Sequence, residues 1–403
     1  MVSLLYRALR ARPGELRAVA WAFAYFFLLL CSYYILRPVR DALAVEVGPQ
    51  ALKWLFTATF VAMLALVPLF GWLCARLPRG RLLPLVYGFF ALNLIIFSLY
   101  MSATVFFVWL SVFNLFAVSV FWSFMSDIFD TPQAARLYGA IAAGGSSGAI
   151  AGPLVAAFLS RTLEHSGLLF LAAALLALTI PCIAMLSRWS RAHPRSSDPP
   201  PGAPLGGSVL AGVRAALGSR FLLAICGYLL CYTALSTALY FQQVAIVKDA
   251  VPDMNERTQL FASVDLVVNS LTLALQVVAF SRLSAVLSAG WLLAVVPLIS
   301  IAGFIWLGAT PTLAALITFG VARRVGEFAI SKPAREALFT VVPREERYKA
   351  KNFIDTVVYR GGDAASGWLF GALGSAIAFV AAAVAIGWTA IAFYLGARMK
   401  SWT

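Results

Sequence analysis

The sequence predicts an all-α polytopic membrane protein of twelve transmembrane helices, arranged as two six-helix pseudo-repeats. Three observations carry this. Hydrophobic residues make up 62% of the 403-residue chain and charged residues only 12%, with a mean hydropathy of +0.87. Soluble domains carry about 25% charged residues, so this much apolar surface needs a bilayer as its solvent. The apolar residues fall into stretches of bilayer-crossing length. One long polar segment divides those stretches six and six.

The expected spans lie near 17–46, 53–74, 82–101, 104–129, 135–160, 167–187, 219–246, 257–281, 286–308, 311–331, 349–373 and 375–397. Arg7, Arg10, Arg12 and Arg17 precede the first, in the manner of a signal peptide. That apolar run is too long, and no small-residue cleavage site follows it, so it reads as a retained first helix. Between spans six and seven, His193, Pro194, Arg195, Ser196, Ser197 and the run Pro199-Pro200-Pro201 read as a linker. The expected organisation is an N-terminal half at 1–187, a cytoplasmic linker at 188–218 and a C-terminal half at 219–403. Short echoes support two related halves: Ala75-Arg76-Leu77 against Ser281-Arg282-Leu283, and Ile128-Phe129-Asp130 against Leu338-Phe339-Thr340.

The net charge of +14 does not indicate nucleic-acid binding, because the basic residues sit in short runs between apolar stretches. Most of the 31 lysines and arginines fall at the N-terminus, around Arg76–Arg81, from Arg188 to Arg220, from Arg323 to Lys351, and at the C-terminus. The positive-inside rule then makes both termini and the linker cytoplasmic, with an inner-membrane location. Arg323, Arg324, Glu327 and Lys332 read as part of that positive anchor. Five cysteines inside apolar spans read as small hydrophobes, and two distant histidines offer no metal site. No Walker-type phosphate loop and no catalytic constellation is visible, so neither an enzyme nor a cofactor is expected.

Charged residues inside apolar spans cost about 2.5–3.5 kcal/mol each on insertion scales, which makes them the informative exceptions. In span one, Tyr33, Tyr34, Arg37, Arg40 and Asp41 fall within about 120° of a helical arc, beside Pro38. Two guanidiniums there suit an anion-binding patch, or mark a helix end where arginines snorkel to the interface. In span eleven, Asp355, Tyr359 and Asp363 share a face with Arg360 at its edge, as a second-half counterpart or an internal salt-bridge network. Asp265 lies mid-span beside Asn269, and Asp127 closes span four; both are candidates for coupling or gating. In span five, Gly144, Gly148 and Gly152 recur every four residues, which permits close helix packing.

Four segments carry a family resemblance: Tyr34 to Leu43, Phe121 to Ile128, Pro252 to Glu256, and Ile354 to Asp363. They resemble the ATP/ADP nucleotide transporters of plastids and intracellular bacteria, a branch related to the major facilitators. The resemblance implies that Arg40-Asp41 stands where that family contacts nucleotide phosphate, and that Asp127 matches its acid after the Phe-Trp pair. The chain departs from the family at Asp363, where a lysine is usual, and at Tyr240, where an acid is usual. The resulting expectation is a secondary transporter of major facilitator type that moves an organic anion by alternating access. A nucleotide (ATP or ADP) or another phosphorylated metabolite is the expected substrate, and the monomer is the expected unit. Arg37, Arg40, Tyr33, Tyr34, Tyr359 and Arg360 would bind it; Asp41, Asp127, Asp265, Asp355 and Asp363 would couple or gate. Proton-coupled transport of a different small solute is the alternative, and a non-transporting membrane scaffold is the third.

Overall fold

The computed structural model describes residues 12, 14–76, 79–193, 217–278, 283, 286–339, 342 and 353–400. Those residues are helical almost throughout, and ten of their helical stretches are long and apolar enough to cross a membrane. Residues 194–216 of the polar linker lie outside the described residues, as does the basic run 343–352; the expected linker start at 188 is helical, since the last helix of span six runs to Ala192.

The first five spans form single helices: α1 (Glu15–Val47), α2 (Pro49–Arg76), α3 (Arg79–Leu99), α4 (Ala103–Ile128) and α5 (Thr131–Leu159). Span six is split into α6 (His165–Ala177) and α7 (Thr179–Ala192), with Leu178 between them. Pro181 explains the break, because its ring clashes with the carbonyl four residues back, at Ala177. The chain continues with α8 (Arg220–Ala250), α9 (Met254–Val278) and α10 (Ala289–Ala309). Span ten is α11 (Leu313–Gly326), a π-helical turn at Glu327–Ser331, and α12 (Lys332–Leu338). It therefore runs past the expected end at 331. Span eleven is a π-turn at Ile354–Val358 leading into α13 (Tyr359–Gly371), and span twelve is α14 (Ile377–Lys400).

Two compact units emerge. The first comprises Met1–Leu43, Ala65–Gly202 and Asp253–Leu266; the second comprises Ala44–Leu64, Ala203–Pro252 and Val267–Thr403.

In the first unit, the glycines of α5 seat that helix on the backbone of α1. A Cβ at Gly144 would meet the Phe23 backbone, one at Gly148 the backbone of Phe27 and Cys31, and one at Gly152 Cys31 and Tyr34. Small residues allow this approach, and dispersion between the backbones then holds it. The entry to α5 is fixed by a reciprocal capping box, in which Gln133 N–H donates to Asp130 and the Asp130 N–H donates to the Gln133 side chain. Arg136 of α5 binds Glu15 of α1 through both terminal nitrogens, at 3.1 and 3.0 Å.

Beneath these contacts lies a buried chain of hydroxyls. Tyr25 donates to the Tyr87 oxygen at 2.6 Å, and Tyr87 donates to the Ala117 carbonyl at 3.2 Å. The order has a consequence. Tyr87→Phe removes the acceptor of a buried hydroxyl and is expected to cost about 1–3 kcal/mol, whereas Tyr25→Phe removes only a donor and costs about 1 kcal/mol. Thermal unfolding of the two variants in one detergent checks the order; equal losses would contradict it.

In the second unit, α10 and α14 pack closely where Gly290 faces Gly396. Gly362 of α13 rests on Leu230 and Thr233 of α8, and Gly367 rests on Lys53 and Phe56 of α2.

Candidate functional site

Each unit carries ionic groups inside its apolar helices. In the first unit, the α1 stripe is arranged much as its spacing suggests. Arg37 reaches Asp265 of α9, with Nη1 to Oδ1 at 3.4 Å. Asp265 is almost fully buried, and Arg37 keeps 18% of its side chain exposed. Its guanidinium also stands 6.0 Å from the Tyr34 ring, and Tyr33 packs edge-on against Tyr34. One turn on, Arg40 donates to Asp41 Oδ1 from Nε and Nη2, at 3.0 and 2.7 Å, and lies over the Phe107 ring of α4. Pro38 sits inside the continuous helix α1 between the two arginines.

The mid-span carboxylate Asp265 is thus brought to the arginine stripe, although the two lie 228 positions apart in the chain. Asp127 is not: it is exposed at the end of α4. With Arg37 and Arg40 facing Asp265 and Asp41, the four charges sum to zero. Each guanidinium is already held by a carboxylate, so an incoming anion must take over a position that a carboxylate occupies.

In the second unit, Arg360 approaches Asp363 at 3.5 Å, one helical turn apart on α13, and lies over the Tyr359 ring. Tyr359 in turn approaches Tyr232 of α8, with ring centroids 6.0 Å apart. Asp355 lies within the π-turn Ile354–Val358, so the regular-helix phase that placed it on a face with Tyr359 does not apply; its side chain lies outside the described residues.

The second unit also holds a cluster that the sequence reading missed. Arg323 and Glu327, read there as part of a cytoplasmic anchor, are each only 3% exposed, and Arg335 of α12 is 7% exposed. Arg335 Nη1 donates to Glu327 Oε1 at 3.1 Å. Arg323 Nη2 donates to the Tyr232 carbonyl at 3.2 Å and to the Ser236 hydroxyl at 2.9 Å. Both guanidiniums lie over the Tyr232 ring, at 5.3 and 5.9 Å. Burial this deep is incompatible with a solvated anchor. The four-residue spacing of Arg323 and Glu327 was a visible signal; Arg335 was hidden by the π-turn.

The comparisons with known proteins agree with this architecture. The model of the Major Facilitator Superfamily matches residues 22–362. No curated protein matches the chain significantly. Among solved structures, a POT family transporter in complex with 5-aminolevulinic acid is 13% identical over 95% of this chain and 96% of its own, with a TM-score of 0.69. A bacterial homologue of the iron transporter ferroportin, in an inward-facing state, is 14% identical over 94% and 99%, with a TM-score of 0.66. A mutant form of the nucleoside transporter NupG is 13% identical over 95% and 98%, with a TM-score of 0.61. At such identities the likeness speaks for the fold alone. A family match over most of the length, on a chain of bilayer-length helices, settles the broader question: this protein belongs to the Major Facilitator Superfamily.

Proposed function

We propose that the chain is a secondary active transporter of an organic anion, working by alternating access in the inner membrane with both termini cytoplasmic. The observation that carries this reading is the Arg37–Asp265 pair, held at 3.4 Å between two membrane-length helices. An ion pair in apolar helices is a costly way to stabilise a fold. It is useful where one partner is to be exchanged. In this reading an oxyanion displaces Asp265 from the exposed edge of Arg37, while Arg40 and the Tyr34 hydroxyl supply further donors. The guanidinium stays compensated throughout, so binding avoids the cost of a bare charge.

The substrate class we propose is a nucleotide or another phosphorylated metabolite, with ATP and ADP the first to test. The guanidinium fork suits phosphoryl oxygens, and the Arg40-Asp41 resemblance points the same way. The protein would act as a monomer, without a cofactor. Asp41, Asp265 and Asp363 are proposed as coupling or gating groups through their arginine partners; Asp127 and Asp355 are retained as gating candidates on the sequence pattern.

Uptake of labelled ATP, ADP and phosphate into proteoliposomes tests the reading. Arg40→Ala is expected to lower the substrate flux by about tenfold or more, the equivalent of one charge-assisted hydrogen-bond pair. An unchanged flux would remove Arg40 from the site. The paired Asp265 also supports a second reading, in which a proton takes the place of the anion and a different solute is carried. A flux abolished by an uncoupler and indifferent to nucleotide on the far side would favour that one.

A further inference from the structure

The buried cluster of the second unit is not explained by packing. Arg323, Glu327 and Arg335 bring two positive charges and one negative into a site where none of the three residues is more than 7% exposed. Among these three side chains the surplus is one positive charge, and Arg335 rather than Arg323 holds the hydrogen bond to Glu327. Among the described residues, the Arg323 guanidinium is met by a backbone carbonyl, a hydroxyl and an aromatic face, but by no carboxylate. Its Nε, and the Oε2 of Glu327, are buried without a hydrogen-bond partner among the described residues. Buried charges are ordinarily paired, and buried polar atoms ordinarily bonded.

The backbone is shaped to bring these groups together. In a regular helix, residue 335 would point about 80° away from residue 327. The π-turn Glu327–Ser331 inserts one extra residue, which turns the phase back by about 100° and leaves Arg335 within about 20° of Glu327. Arg323 then lies on the same stripe. Pro333 accounts for the turn locally: it cannot donate to the Ala329 carbonyl, and the Lys332 N–H instead reaches the Glu327 carbonyl, five residues back.

We propose that this cluster, with Arg323 as its open cation and Tyr232 and Ser236 as its walls, is a binding site for a carboxylate monoanion. One surplus charge matches one carboxylate. A phosphomonoester carries about 1.5–2 negative charges at neutral pH and would overcompensate. The planar fork of Arg323 suits a planar carboxylate, and Arg335 already holds one through a single hydrogen bond to Glu327 Oε1. The ligand would be enclosed, as the low exposure requires. The site is built from residues of the second unit alone, and its test reads binding rather than flux, so this reading and that of Arg37 can each fail alone.

The test is thermal unfolding of the full-length protein in detergent, titrated with sodium acetate, sodium phosphate or sodium chloride at matched ionic strength. Acetate is expected to give a saturable rise in melting temperature that chloride does not. Arg323→Gln should abolish that rise, and Arg323→Lys, which keeps the charge but loses the fork, should weaken it. Glu327→Gln raises the surplus to two charges and frees Arg335, and should lower the half-saturating acetate concentration by about tenfold. Should Arg323→Gln fail to fold, the Glu327→Gln titration decides. A half-saturation point that Glu327→Gln leaves unchanged overturns the assignment. So does a rise produced by phosphate alone, or one that survives intact in Arg323→Gln.

Discussion

Arg37→Gln is expected to lower the stability of the folded protein by about 3 kcal/mol and to abolish transport, because it strips the guanidinium from a carboxylate buried between α1 and α9. The pair is more informative than either residue. Burial of Asp265 was affordable only with a cation at hand, so removal of Arg37 exposes the cost of desolvation rather than the modest worth of the contact. The reversed pair, Arg37→Asp with Asp265→Arg, restores opposite charges and should recover much of the stability. It should not recover transport, since the cation then sits on the wrong helix, away from Tyr34 and Arg40. Thermal unfolding of the three proteins and uptake in proteoliposomes separate the two effects. If Arg37→Gln unfolds at the wild-type temperature, the pair is not holding α1 to α9. If the reversed pair transports normally, Arg37 does not bind substrate.

A second large effect is expected at the crossing of α1 and α5. Gly148→Leu places a side chain where the Phe27 and Cys31 backbones already stand. Overpacking a core costs about 1–3 kcal/mol when neighbouring side chains can give way. Here the obstruction is backbone on a neighbouring helix, so the upper end of that range or beyond is expected. Gly148→Ala should produce a smaller loss of the same sign. The melting temperature in detergent should fall in the order Gly, Ala, Leu. The neighbouring Gly139 has open space around it, and Gly139→Ala should be nearly neutral. Alanine favours the helix over glycine, so similar losses at 139 and 148 would show that the contact with the Phe27 and Cys31 backbones is not responsible.

Spans ten and eleven, which carry π-turns, do not form single helices of bilayer-crossing length among the described residues; the other ten expected spans were legible because they depend only on summed hydropathy. The same holds for the glycine series of α5: four-residue spacing on an apolar helix leaves close packing as its main use. Arg37, Arg40 and Asp41 were legible as a stripe because α1 keeps a regular phase through Pro38. What could not be read was pairing at a distance. Asp265 announced itself as costly, but nothing in the chain said that Arg37 would answer it. The basic run at Arg323 was misread for a different reason. Charge counting sees composition and not depth, and a regular helical phase put Arg335 on another face from Glu327. Tyr232 and Ser236, which complete that cluster, are ordinary residues of an apolar span and gave no signal.

The turn at Glu327–Ser331 has a further meaning when the helix is seen as a one-dimensional lattice. The extra residue is a dislocation. Solids shear by moving dislocations rather than by breaking every bond across a plane, because a dislocation advances one site at a time. A helix holding a surplus residue has the same economy. Passing that residue one position along exchanges a single backbone hydrogen bond for another, and rotates only the residues it crosses. The alignment of Arg323, Glu327 and Arg335 therefore records where the dislocation rests as much as which residues the chain contains.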